Sequence, residues 1–397
     1  MSSRPARSVD EYRETIEQML RPLAARAVES VPVPDALGRQ LAEDVRSPVD
    51  LPVFRNSAMD GYAVRAESVA AAPVTLPLAG VVAAGNPGET PLPPGGALKV
   101  MTGAPIPPGA DCVVPVEDTH AAGDTVTIER ARVAGEFVRE AGTDVRTGDL
   151  LVPVGVALNP RHIAALAAVG LAEVPVFEQI RAAVITTGDE LVPAGKTLRP
   201  GQIYNSNGIA LAAALSANGV AVVSVEHSTD DPAEFRRRLD AATGSADLVF
   251  TSGGVSQGDF EVVKDVLTPL GGTFGVVAVQ PGGPQGLTVA DGVPVLSFPG
   301  NPVSTMVSFE VFARPILRRL GGLPEVETRE LPLSEAVRSP AGRRQFLRGR
   351  ITADGVEPVS GPGSHLVAGM AWADVLIDIP AEATEVPAGT AVSVRAL

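Results

Sequence analysis

Asp247-Leu-Val-Phe-Thr-Ser-Gly-Gly-Val-Ser-Gln-Gly-Asp259 runs from a short apolar segment straight into glycines, hydroxyls and an acid. Leu248, Val249 and Phe250 are apolar without alternation, the pattern of a parallel strand covered on both faces. Gly253 and Gly254 permit a sharp bend and let a ligand approach the backbone with no Cβ in the way. A helix is expected to begin near Phe260, so free N–H groups above the strand end suit a phosphate or a similar oxyanion. For any one such loop, an ordinary tight turn is the competing reading.

The same construction occurs twice more nearby. Arg181-Ala-Ala-Val-Ile-Thr-Thr-Gly-Asp-Glu190 is an apolar strand ending in two hydroxyls, a glycine and two acids. Val293-Pro-Val-Leu-Ser-Phe-Pro-Gly-Asn-Pro-Val-Ser304 is another, ending in a rigid turn. Between them, Asn207 to Asn218 reads as a helix stopped at Gly219, and Asp230-Asp-Pro232 starts a helix that Phe235 to Ala241 carries onward. This rhythm predicts an open, doubly wound α/β sheet with right-handed crossovers. Ligands bind such sheets beyond the carboxyl ends of the strands, where all three loops fall.

The chain has 397 residues, enough for several domains, and is 45% hydrophobic with 4% aromatic residues. A net charge of −14 argues against nucleic acid or an anionic membrane as the main partner. The most apolar stretch, His162 to Phe177, is short and interrupted by Gly170, Glu173 and Pro175, so no membrane span is expected. Met1 to Glu11 has no apolar run to serve as a secretion signal. The single cysteine, Cys112, excludes an internal disulfide, and the four histidines are scattered, so a structural zinc site is not expected. The expected setting is cytoplasmic.

Around the α/β unit the texture changes. Ser8-Val-Asp-Glu11 is a capping box predicted to open a helix reaching about Glu29, with a kink at Pro22. Short strands separated by Pro- and Gly-rich turns (Val74–Leu78, Ala97–Met101, Cys112–Val116, Thr125–Ile128) predict a β-rich insertion. Asn159-Pro-Arg161 caps a further helix ending at Gly170, and short strands resume after Gly321-Gly322 as a small C-terminal β domain. The expected division is an N-terminal helix packed on the α/β unit (1–27), a linker domain (28–46 with 147–177), a β-rich insertion (47–146), the α/β domain (178–324) and a C-terminal β-barrel (325–397).

The acids Asp60, Asp144, Asp189, Glu190, Asp230, Asp259 and Glu261 nearly all fall in loops beside glycine or hydroxyl residues. Carboxylates and water without Cys or His suit Mg²⁺, held by one or two carboxylates together with substrate phosphates; Glu190, Asp230 and Asp259 are the candidate ligands. Gly195-Lys-Thr197 looks like the end of a P-loop, but Glu190 stands where the first glycine belongs, and no Gly-x-Gly-x-x-Gly follows a strand. A plain ATPase or an NAD enzyme is therefore disfavoured.

Six segments resemble the molybdopterin molybdenumtransferase (MoeA) family, to which the E domain of gephyrin also belongs. They are Asn56-Ser-Ala-Met-Asp-Gly-Tyr-Ala63, Met101-Thr-Gly-Ala-Pro105, Ala141-Gly-Thr-Asp144, Thr187-Gly-Asp-Glu-Leu191, Thr251-Ser-Gly-Gly-Val-Ser256 and Pro299-Gly-Asn-Pro-Val-Ser304. The resemblance implies insertion of molybdate into adenylylated molybdopterin with Mg²⁺, releasing AMP and molybdenum cofactor, downstream of a molybdopterin adenylyltransferase. It also implies a homodimer, with the site between the α/β domain of one subunit and the β insertion of the other. Carried over by motif, Asp60, Thr102, Asp144, Glu190 and Asp230 are the catalytic candidates. Thr251, Ser252, Gly253, Gly254, Ser256, Asp259, Glu261, Gln280, Pro299, Gly300, Asn301, Pro302, Ser304 and Ser364 are the substrate-binding candidates.

Two departures stand out. Glu261 occupies a position that is usually aspartate, and the family's Lys-Pro-Gly-Lys-Pro reads Gln280-Pro-Gly-Gly-Pro284, so both lysines are gone. Gln280, Gln285 or an arginine near Arg343, Arg344 or Arg348 is expected to substitute. On residue chemistry alone, backbone N–H groups at 252–256 and 301–304 would hold a phosphate end, and Asp60 or Glu190 would supply a base. The competing function is a non-catalytic dimeric scaffold that binds pterin or a peptide.

Overall fold

A computed structural model of the chain describes residues 6–85, 87–256 and 261–397. At its centre the three predicted strands Arg181–Thr187, Leu248–Ser252 and Val293–Phe298 lie side by side and parallel, with Ala221–Ser228 parallel on the outside. Beyond Val293–Phe298 the sheet continues antiparallel through Pro284–Ala290 and Thr273–Val276, making six strands. Alternation along each strand sends Val184, Phe250 and Phe298 to one face and Ile185, Val249 and Val295 to the other, all fully buried. Leu211 and Leu215 of the helix Asn207–Ala217 cover the first face; Phe235 and Leu239 of Pro232–Thr243 cover the second. Truncating Phe250, which also contacts Phe298 and Phe309, would cost about 3–5 kcal/mol.

Capping chemistry sets several boundaries. Asp231 accepts from Ala233 N at 3.0 Å at the start of Pro232–Thr243, and Asn159 accepts from Arg161 N and His162 N at the start of Pro160–Ala168. Ser8 and Glu11 close the capping box of the first helix. That helix, however, spans only Val9–Leu20, not residues to Glu29. Pro22 lies in a short 3-10 turn, and Val28–Pro32 leaves as a strand antiparallel to Glu173–Phe177. Tyr12 and Phe312 meet edge to face at 5.0 Å, seating the helix on the α/β sheet's apolar face.

The insertion forms a six-stranded sheet in the order Cys112–Pro115, Gly61–Val64, Ala97–Val100, Val74–Val82, Thr125–Ile128, Thr119–Ala122. Gly61–Val64, read from the sequence only as a turn region, is one of its inner strands; a Cβ on Gly61 would strike the backbone carbonyl of Val114. The C-terminal strands Thr328–Pro332, Arg344–Thr352, Val375–Ile379 and Ala391–Ala396 form a further sheet. Val279–Gln280, a segment of the α/β unit, joins that sheet parallel to Arg344 and Gln345. This graft brings the barrel against the site.

Candidate active site

Because the three parallel strands end at one edge, their loops share one space. There they meet the barrel loop Pro362–His365 around a cavity of about 820 Å³. The loops after Ser252 and Phe298 are tied to one another, to the helix Asn207–Ala217 and to the barrel loop. Asn207 Nδ2 donates to Ser252 Oγ at 2.9 Å and to the Gly300 carbonyl at 2.7 Å, and Thr305 Oγ1 donates to the Pro299 carbonyl at 2.6 Å. Val303 N donates to the Ser364 carbonyl at 3.0 Å, fastening the barrel loop to the Pro299-Gly-Asn-Pro302 turn. Asn207, Thr305 and His365 were not anticipated as site residues. Asn207 carried a signal as the start of a helix opposite the glycine loops, whereas His365 had no signal beyond adjoining Ser364.

Of the predicted residues, Glu190, Asp230, Ser252, Gly253, Gly254, Ser256, Glu261, Gln280, Pro299, Gly300, Asn301, Pro302, Ser304 and Ser364 all border the cavity. Thr251 does not: it is fully buried in the strand below the loop. Asp259 lies outside the described residues. Asp60, Thr102 and Asp144 belong to the insertion, and no described residue of 47–146 borders this cavity. Asp60 and Thr102 do come together. Asp60 Oδ1 accepts from Thr102 N at 2.6 Å and from Thr102 Oγ1 at 2.9 Å. Those bonds, the backbone one foremost, hold the exposed Asp60 carboxyl below its ordinary range. Asp60 is therefore better suited to stay anionic than to act as the base suggested above.

The expected N–H cradle is only partly available. Gly253 N donates to the Phe298 carbonyl, Ser256 N to Glu261 Oε2 at 2.8 Å, and Val303 N to Ser364 as described. Gln285 cannot replace a lysine, because both its N–H groups are engaged, by the Gly282 carbonyl and Ser308 Oγ, each at 2.7 Å. Gln280 borders the cavity and accepts from Gln345 Nε2 at 3.4 Å. Among the three arginines, Arg344 is paired with Asp378 and Asp10, and Arg343 is exposed. Arg348 is buried and forms no ion pair among the described residues. Metal donors are sparse as well: among the described residues no three acidic, His or Cys side chains converge. Glu190 and Asp230 stand exposed at the rim, as suits an ion whose remaining ligands come from phosphate and water.

This arrangement defines a multidomain α/β protein with its ligand cavity at the strand ends and a barrel closing one wall. Three family models match it in order: MoeA N-terminal region (domain I and II) over residues 7–170, probable molybdopterin binding domain over 183–319, and MoeA C-terminal region (domain IV) over 330–397. Molybdopterin molybdenumtransferase 2 of Mycobacterium tuberculosis is 45% identical, over 98% of this chain and 99% of that protein. The molybdopterin molybdenumtransferase of Synechococcus elongatus is 39% identical, over 97% and 99%. A crystal structure of a molybdopterin biosynthesis MoeA protein from Pyrococcus horikosii aligns with TM-score 0.81 at 33% identity, covering 99% of each chain. The chain belongs to the MoeA family of molybdopterin molybdenumtransferases, enzymes of molybdenum cofactor biosynthesis. No described helix is long and apolar enough to cross a membrane.

Proposed function

We propose that this chain inserts molybdate into adenylylated molybdopterin in a Mg²⁺-dependent step, releasing AMP and molybdenum cofactor. The observation that carries this reading is the cavity of about 820 Å³ at three parallel strand ends, lined by hydroxyls, amides and rim acids. The Pro299–Ser304 turn and Gly253–Gly254 would receive the pterin's phosphate end. Glu190 and Asp230 would hold Mg²⁺ at the rim, with Asp259 as a third candidate. Bound there, the ion would neutralise phosphoryl oxygens of the pyrophosphate. Glu190, exposed beside it, is suited to orient the water that cleaves the P–O–P bond. Arg348 and the Gln280 amide would serve the oxyanion in place of lysine.

Asp60, Thr102 and Asp144 would complete the site from the insertion of a second copy, so we propose a homodimer. The substrate's adenylyl group makes a molybdopterin adenylyltransferase the upstream partner. A cytoplasmic setting fits the lone, buried Cys112. The functional units we assign are 1–27, 28–46 with 147–177, 47–146, 178–324 and 325–397. The scaffold reading is not favoured, since the full-length relatives are named as enzymes.

The test is release of AMP from adenylylated molybdopterin by the purified chain with molybdate and Mg²⁺. Substrate bound but not cleaved would overturn the assignment in favour of the scaffold.

A further inference from the structure

A buried arginine is ordinarily matched by a carboxylate, because removing an isolated charge from water is costly. Part-buried Arg344, on the same strand, follows that rule and pairs with Asp378 at 2.7 Å, and even the exposed Arg350 has an acid, Glu357, as partner. Arg348 pairs with no acid among the described residues, although it is only 2% exposed. Its guanidinium donates from Nε at 3.3 Å and Nη2 at 3.1 Å to Ser360 Oγ, and from Nη2 to the Gly361 carbonyl. Burial lowers its proton affinity, yet an arginine remains charged.

Ser360 is held in an unusual way. Its φ is +61°, a left-handed conformation uncommon for a residue with a side chain. A side chain at Gly369 would collide with Ser360 Oγ, and its Cβ would lie 3.5 Å from Arg348 Nε, so the contact is closely packed. Ser360 and Gly361 lead directly into Pro362–His365, which form the barrel's wall of the cavity. Among the described residues, neither lysine nor arginine borders the cavity, while Glu190, Asp230 and Glu261 do.

We propose that Ser360 is a positioning residue for oxyanion capture: its uncharged hydroxyl fixes the Arg348 guanidinium behind the cavity wall without neutralising it, leaving that charge to attract molybdate. The inference rests on the function proposed above. A carboxylate in place of Ser360 would orient Arg348 equally well and cancel its field, which is strong across a poorly screened wall.

The experiment compares Ser360→Asn with Ser360→Asp, two side chains of equal size that both tolerate positive φ and differ in charge. The molybdate dependence of insertion is measured for each, with calorimetric binding of molybdate alone as a second readout. Ser360→Asp should need about tenfold more molybdate than Ser360→Asn for half-maximal rate, with kcat alike within about threefold and the gap narrowing in high salt. Ser360→Gly, which relieves the backbone but removes the acceptor, should fall between them, and it replaces the Asp variant in the comparison if that variant does not fold. Equal molybdate dependence in Asn and Asp, or in Asn and Gly, overturns the proposal. If the wild-type chain binds molybdate but releases no AMP, the proposed function fails while the binding comparison still decides the role of Ser360.

Discussion

The α/β unit and the β insertion each carry acid-and-hydroxyl turns, and they arrange them in opposite ways. In the α/β unit three turns converge because three adjacent parallel strands end at one edge, and Asn207, Ser252 and Thr305 cross-link two of them, those after Ser252 and Phe298. In the insertion the Asp60–Thr102 clasp stands exposed, outside that cavity. Sheet topology alone concentrates the first group. The second acquires a substrate only if another surface is brought to it. On the dimer proposed above, one chain would supply the cavity half of a site and the insertion of its partner the Asp60–Thr102 half.

The largest effect should come from separating the halves. Asp60→Ala and Glu190→Ala should each lower insertion about a hundredfold or more, with thermal melting unchanged because both side chains are exposed. When the two inactive variants are unfolded and refolded together, random pairing makes half the dimers mixed. Each mixed dimer then holds one intact site, so about a quarter of wild-type activity should return. Light scattering checks that dimers form before activity is compared. Recovery near zero from well-formed mixed dimers would mean that Asp60 and Glu190 act within one chain, and the comparison above would collapse.

The two regions also differed in how plainly they could be read. The strand-then-glycine pattern at 181–190, 247–256 and 293–304 identified the α/β sheet and its loop edge, because period, turn chemistry and burial all agree locally there. Gly61–Val64 was hidden: Asp60-Gly61 has the composition of a turn, and only the crowding by Val114 across the sheet shows that the glycine serves strand packing. What escaped the α/β reading was long-range. Gly253 N is taken by Phe298 and Val303 N by Ser364, partners far away in sequence, so an N–H cradle counted from local turns is overcounted. Gln285 loses one donor to nearby Gly282 and the other to Ser308 across the fold, and only the fold shows that buried Arg348 has no acidic partner among the described residues.

A second prediction sharpens the distinction between function and stability inside the α/β–barrel seam. Arg348→Met keeps similar volume while removing a desolvated charge, so melting should be unchanged or higher. The molybdate needed for half-maximal insertion should rise about tenfold. A large fall in melting temperature would instead assign Arg348 a structural role. The converse change restores charge. Gln280→Lys should lower the half-maximal molybdate concentration about three- to tenfold: an adjacent charge at an effective dielectric of about 20 is worth up to ~4 kcal/mol before desolvation is subtracted. The double variant with Gly283→Lys is also accessible, because Gly282, not Gly283, holds positive φ, at +94°. A Cβ on Gly283 meets only ordinary contacts at 3.4 Å or more. Unchanged molybdate dependence in folded Gln280→Lys protein would show that the oxyanion sits away from residue 280.

The smallest expected effect tests the exposed clasp itself. Thr102 N–H, and after it Thr102 Oγ1–H, stabilise the Asp60 anion and hold its carboxyl below the usual range. As pH falls, the wild-type residue therefore stays ionised to lower pH than an ordinary aspartate would. Thr102→Val keeps the backbone donor and the side-chain shape but removes the hydroxyl, so the carboxyl moves back toward its ordinary value. The ionised form is then lost earlier on descent. If insertion requires the Asp60 anion, the acid limb of kcat/KM for adenylylated molybdopterin should shift to higher pH in Thr102→Val, while the rate near neutrality stays within about threefold. An acid limb that does not move would show that protonation of Asp60 does not limit the reaction. The clasp would then serve to shape the turn rather than to keep its carboxylate charged.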